Sequence, residues 1–143
     1  MTQMAKLFRA LADANRLRIV NILSERSSCV CDLQSVLGLS QPFISRHLAY
    51  LRRVGLVKDQ REGPRVCYSL APDSPAIQAL RAFLREVLPS SETFQADLKL
   101  LSSLESSGRL KSLGLQIVTS PTDSASPASD EGQGEENGDA RAA

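Results

Sequence analysis

A chain of 143 residues, 42% hydrophobic, holds one ordinary domain with a remainder to spare, and with no Trp, two Tyr and four Phe its core must be aliphatic. No stretch approaches the roughly 18–20 apolar residues of a membrane span, and no basic-then-apolar leader is present, so a cytoplasmic protein with no membrane role is expected. The net charge of +1 is the sum of a basic body, +6 over residues 1–118, and an acidic stretch, −5 over 119–143.

In chain order, Met4, Leu7, Phe8 and Leu11 recur at helical spacing and predict a first helix over about 3–12. Asp13-Ala14-Asn15 breaks it and offers side-chain caps to a second helix, which carries Leu17, Ile19, Val20, Ile22 and Leu23 and ends near Glu25. Ser27 to Cys31 is short and tolerant of extended backbone, and leads into a third helix at Asp32–Leu37 that Gly38 stops. Ser40 caps a fourth helix, Gln41 to Arg53, with Pro42 in its first turn, where a missing N–H costs little, and Gly55 ends it. Two short strands follow, about 56–61 and 65–70, joined by Glu62-Gly63-Pro64. Helix returns from Ile77 to Val87, breaks at Leu88-Pro89-Ser90 and resumes over about 92–104. From Thr119 onward the composition is Ser, Pro, Gly, Ala and acid. Such a segment buries too little apolar surface to offset its ordering entropy and reads as a disordered acidic tail.

The expected fold class is therefore mainly α with a small β-hairpin. Helix, Gly-containing turn, helix and hairpin is the order of a winged helix-turn-helix, whose second motif helix enters the DNA major groove. Ile44, Leu48 and Leu51 recur at i, i+4 and i+7 and must face inward, which turns Gln41, Ser45, Arg46 and Arg52 outward. Gln41 suits bidentate pairing with adenine, Arg46 with guanine, and Ser45 either a base edge or a phosphate. Arg61 and Arg65 flank the hairpin turn, where guanidiniums meet phosphate or the minor groove. Pro42 and His47 complete the candidate DNA-binding set, His47 through packing or a phosphate contact. Any one of these residues could be a solvated polar position; together, on a basic body, they point to double-stranded operator DNA.

Leu7 to Ile19, Ser40 to Leu48 and Leu51 to Val57 resemble the opening, recognition helix and exit of the ArsR/SmtB repressor family, and Cys29-Val30-Cys31-Asp32-Leu33 resembles the metalloid box of its arsenic-sensing subgroup. The resemblance covers about residues 4–90. It implies a homodimer packed through N- and C-terminal helices, and transcriptional repression relieved by a ligand. On this reading residues 1–90 form the DNA-binding and sensor domain, 91–118 a helical extension used in dimer packing and 119–143 the tail. Ala14-Asn15 stands where the family usually has Pro-Thr, and Gln34 where the box commonly has a third Cys.

Cys29, Cys31 and Cys67 are the only cysteines and nothing suggests a secretory context, so structural disulfides are not expected. Soft thiolates select soft ions, and As(III) or Sb(III), as inducer rather than catalytic cofactor, favours two or three sulfurs. On a regular helix residues i and i+2 diverge by about 200°, whereas on extended backbone they share a face. The pair therefore precedes the third helix, or that helix unwinds its first turn on chelation; proximity to a helix N-terminus would lower the thiol pKa values. With Val66, Tyr68 and Leu70 inward, Cys67 would face away from the core beside Cys29 and Cys31, as a third ligand or an incidental strand cysteine. A redox or reactive-sulfur sensor on the same fold remains the alternative. A thiol enzyme is disfavoured, since the chain lacks C-x-x-C, a phosphate-cradling Gly loop and a partner histidine. The lone histidine also argues against a zinc, cobalt or nickel site, and Leu80, Phe83, Leu84, Val87, Phe94, Leu98 and Leu101 read as a stripe for dimer packing.

Overall fold

Helix boundaries in this chain follow its caps. In the computed structural model, which describes residues 2–71 and 74–111, Thr2 caps α1 (Gln3–Leu11) through its hydroxyl. Asp13 caps α2 (Ala14–Glu25), its carboxylate accepting from the Asn15 and Arg16 N–H groups at 2.9 and 3.0 Å. After the two-residue strand β1 (Ser28–Cys29) comes α3 (Val30–Leu37), closed by Gly38 in the left-handed region at φ +71°. Ser40 Oγ accepts from the Phe43 N–H and starts α4 (Gln41–Arg53). Then come β2 (Val57–Glu62), β3 (Arg65–Leu70), α5 (Pro75–Val87), a 3-10 turn at Leu88–Ser90 and α6 (Glu92–Ser106). The expected acidic tail lies outside the described residues.

The hairpin is one part of a three-stranded antiparallel sheet ordered β1-β3-β2. Glu62 pairs with Arg65, so the connection shrinks to Gly63-Pro64, and Gly63 supplies the positive φ (+65°) that a two-residue hairpin loop demands. β1 adds only two residues, pairing Ser28 with Tyr68 and Cys29 with Cys67. A single aliphatic core runs through all of this: Ile19, Val20 and Ile22 of α2, Leu33 of α3, and Ile44, Leu48 and Leu51 of α4 are completely or almost completely shielded. Burial of each such side chain contributes about 1.5–3 kcal/mol. The result is a winged helix-turn-helix, with α3 and α4 as the motif and β2–β3 as the wing.

α6 is fastened to α2 by polar contacts no local pattern reveals. Arg18 donates from Nε and Nη2 to both oxygens of the buried Asp97 at 2.8 and 2.9 Å, and this bond holds the Arg18 pKa above its ordinary value. Buried Asn21 donates to the Phe94 carbonyl at 3.1 Å, and Arg26 pairs with Glu105 at 3.0 Å. Leu84 and Leu101 of the expected dimer stripe are buried within the chain, and Leu80, Phe94 and Leu98 pack on the same core, whereas Phe83 is 55% exposed and Val87 is exposed.

Candidate sensor site and nucleic-acid interface

Cysteine at a helix start is a weak cap, and α3 begins on one: Cys29 is extended (φ −86°, ψ 167°), makes no side-chain cap bond and hands over directly to helix at Val30. Cys29 is thus both the last residue of β1 and the N-cap of α3, while Cys31 sits in the first helical turn. This placement lies between the two arrangements expected from sequence. Because only one of the pair has helical backbone, the 200° divergence does not apply, and the two sulfurs and a carboxylate oxygen of Asp32 all lie within 4.8 Å of one another with the helix intact. The two thiols are thus neighbours although α3 keeps its first turn. Cys29 is 2% exposed and Asp32 1%, while Cys31 is half-buried and forms the open side.

The helix N-terminus does not activate Cys29. Burial, first of all, and the adjacent Cys31 push its pKa from an ordinary 9.0 up to about 12. Cys67 is buried too, at 5% exposed, while Tyr68 and Leu70 rather than Cys67 belong to the aliphatic core; burial and then its hydrogen bond to Glu62 Oε1 (2.8 Å) push its pKa strongly up. β3 is the central strand of the sheet and touches both α2 and α3. Cys67 lies directly across the ladder from Cys29 but outside the Cys29–Cys31–Asp32 cluster. These raised values set a pH dependence. The unfolded chain loses its thiol protons from about pH 9, whereas folded Cys29 keeps its proton until about pH 12, so stability is fully present below pH 9 and lost as pH rises towards 12. Chemical denaturation between about pH 8.5 and 10.5 should show a steeper loss for the wild type than for Cys29→Ser.

α4 carries the nucleic-acid candidates. With Ile44, Leu48 and Leu51 inward, Gln41, Pro42, Arg46 and Arg52 are exposed. Gln41 Nε2 donates to the half-buried Ser45 hydroxyl at 2.9 Å, which orients its amide, and the Arg46 guanidinium lies 5.6 Å from the Phe43 ring. Arg52 pairs with Asp59 of β2 at 3.0 Å, tying α4 to the wing. His47 is half-buried, edge-on to Phe43 and 3.4 Å from Arg16, and burial lowers its pKa. Arg61 and Arg65 are exposed on either side of the wing turn. Sequence reasoning passed over Asp32, whose place beside Cys31 reads first as an acid favouring a helix N-terminus. It also passed over Arg16, which stacks 4.1 Å from the Tyr50 ring centre.

Residues 13–59 match the model of the bacterial regulatory protein, arsR family. The chain is 54% identical over 72 residues to the arsenical resistance operon repressor of Escherichia coli (strain K12), covering 50% of this chain and 62% of that protein's length, less than two thirds. It is 37% identical over 83 residues to a cadmium resistance transcriptional regulatory protein, CadC homolog, of Staphylococcus aureus, covering 57% of this chain and 69% of that protein. A solved homodimeric winged helix-turn-helix DNA-binding domain from Mycobacterium bovis superposes with a TM-score of 0.54 at 30% identity, covering 61% of this chain and 79% of that one. The chain belongs to the arsR family of bacterial regulatory proteins. Among the described residues no helix is long and apolar enough to cross a membrane.

Proposed function

We propose that the protein is a cytoplasmic homodimeric repressor that binds operator DNA through α4 and the wing and lets go when As(III) or Sb(III) is held by Cys29 and Cys31. The observation that carries this reading is the pair of sulfurs brought together at the N-terminus of α3, the helix against which α4 packs. Two thiols and an oxygen donor fit a thiophilic trivalent element, and the resistances named for the E. coli and S. aureus relatives, arsenical and cadmium, both concern thiophilic elements. α3 packs against α4 and shares one core with it, so a rearrangement of the first turn of α3 on capture would reach α4. A decisive switch needs several kcal/mol between the two states.

Dimer formation is supported by apolar surface the single chain leaves uncovered: Met4 and Phe8 of α1 and Phe83 and Val87 of α5 are exposed, and Phe8, Phe83 and Val87 line a groove with Leu11 and Leu80. The homodimeric M. bovis neighbour agrees with it.

A DNA-shift assay on the protein's own promoter tests the reading. Arsenite should release the wild type, while Cys29→Ser/Cys31→Ser should bind the operator with affinity within about threefold of wild type and ignore arsenite. No arsenite effect on the wild type would overturn the sensor assignment. The thiol-redox alternative draws on the Cys29–Cys67 register, since directly opposed strand residues bring their Cα atoms to about 4.5–5.5 Å, within disulfide reach. Against it, both thiols are held protonated, and the thiolate is the form that oxidants attack. Release by peroxide but not arsenite would favour that alternative.

A further inference from the structure

Two thiols leave one position of a three-coordinate metalloid to be filled, and the residue beside them that can address it is Asp32. Its side chain is 1% exposed, a carboxylate oxygen lies within 4.8 Å of both sulfurs, and its Oδ1 accepts from the Lys111 N–H at 2.6 Å, which fixes the carboxylate from beyond the end of α6. An acid serving only to complement the α3 dipole has no need of this burial, nor of a backbone donor 79 residues away. Gln34 stands one turn further along, where the arsenic-sensing box commonly has its third thiol, and Cys67 is outside the cluster.

We propose that Asp32 is a specificity residue for hydroxylated arsenic: its carboxylate accepts a hydrogen bond from the one hydroxyl that arsenite keeps after the two thiols have bound. This rests on the metalloid reading above. The exchange is balanced without redox chemistry. Two As–O bonds of As(OH)3 break and two As–S bonds form, and the departing hydroxides leave as two waters carrying the Cys29 and Cys31 thiol protons. One As–OH remains as a donor, and Asp32 supplies a buried carboxylate oxygen within reach of both sulfurs. A third thiol would have displaced that hydroxyl as a third water, carrying its own proton.

Phenylarsine oxide separates these possibilities, because its third arsenic substituent is carbon and it keeps no hydroxyl once two thiols have bound. Arsenite and phenylarsine oxide are titrated into the reduced full-length protein, with affinity read from the sulfur-to-arsenic absorbance, for wild type, Asp32→Asn and Cys67→Ser. Asn retains an oxygen for the Lys111 N–H but replaces the other carboxylate oxygen by an NH2 donor. Asp32→Asn should weaken arsenite by about tenfold to a hundredfold, the range of a hydrogen bond to a charged group, and leave phenylarsine oxide within about threefold. Cys67→Ser should leave both unchanged. Unaltered arsenite affinity in Asp32→Asn overturns the proposal. So does an equal loss for both ligands, which would make Asp32 a support of the thiol pair, and so does loss of arsenite in Cys67→Ser. Failure of the wild type to bind either ligand would instead remove the underlying sensor reading.

Discussion

Replacing Arg18 by Ala will destabilise the protein by about 3–5 kcal/mol, because it strands the Asp97 carboxylate in a buried site without its partner. Asp97 has 6% of its side chain exposed, and both of its oxygens are engaged by one guanidinium in a two-pronged contact, the strong form of such bonds. The cost is that of an uncompensated charge rather than of the pair itself. The double variant Arg18→Met/Asp97→Leu, apolar and similar in volume, should therefore recover most of the loss. Thermal unfolding of the three proteins at neutral pH measures this, with the single variant expected to melt at least about 10 °C below wild type. A drop of only a degree or two would mean that α6 is held to α2 chiefly by Leu101, Phe94 and Leu98.

The second large effect is expected on DNA. Gln41→Ala and Arg46→Ala each remove a side chain suited to a bidentate base contact and should each weaken operator binding by about 1–3 kcal/mol, the double variant by roughly the sum. The two residues sit five apart on the exposed face of α4. Gln41 is oriented by Ser45, and neither side chain touches the core, so melting temperature should change little. Arg61→Ala and Arg65→Ala should act differently, lowering affinity for all sequences alike and reducing the slope of log affinity against log salt by about one unit each. Titrating operator and scrambled duplex at several salt concentrations separates the two kinds of loss. Equal weakening of both duplexes by Arg46→Ala would move that residue from base reading to phosphate contact.

What could be read in the sequence was whatever depended on neighbours along the chain. α4 was legible because Ser40, Pro42, the Ile44–Leu48–Leu51 spacing and Gly55 all agree on its limits. α3 was placed two residues late because a thiol gives no capping signal: the rules look for Ser, Thr, Asp or Asn, and Cys29 occupies the cap position without a side-chain bond. The wing lost a residue for a similar reason. Glu62 looks like a turn residue, yet the two-residue loop extends pairing through it. The burial of Cys67 and the clasp of Arg18 on Asp97 were invisible in a different way. Both arise from packing between segments that no local pattern links. In the candidate sensor site the cysteine pair was legible, but its compactness was not, since this depends on a backbone that changes from strand to helix between the two residues. Asp32 was hidden by its own plausibility as a helix-start acid.

Tyr50 also has an experimental use. The chain has no tryptophan, so its near-ultraviolet emission comes from Tyr50 and Tyr68 alone. Tyr50 lies on α4 between the guanidiniums of Arg16 and Arg53, at 4.1 and 5.1 Å from its ring centre, and Tyr68 follows Cys67 on β3, opposite Ser28. The protein thus carries one native fluorophore on α4, the helix proposed to enter DNA, and one beside the thiols. With Tyr50→Phe and Tyr68→Phe in hand, the order in which the two signals change after rapid mixing with arsenite would time the message between the two places, without any label attached.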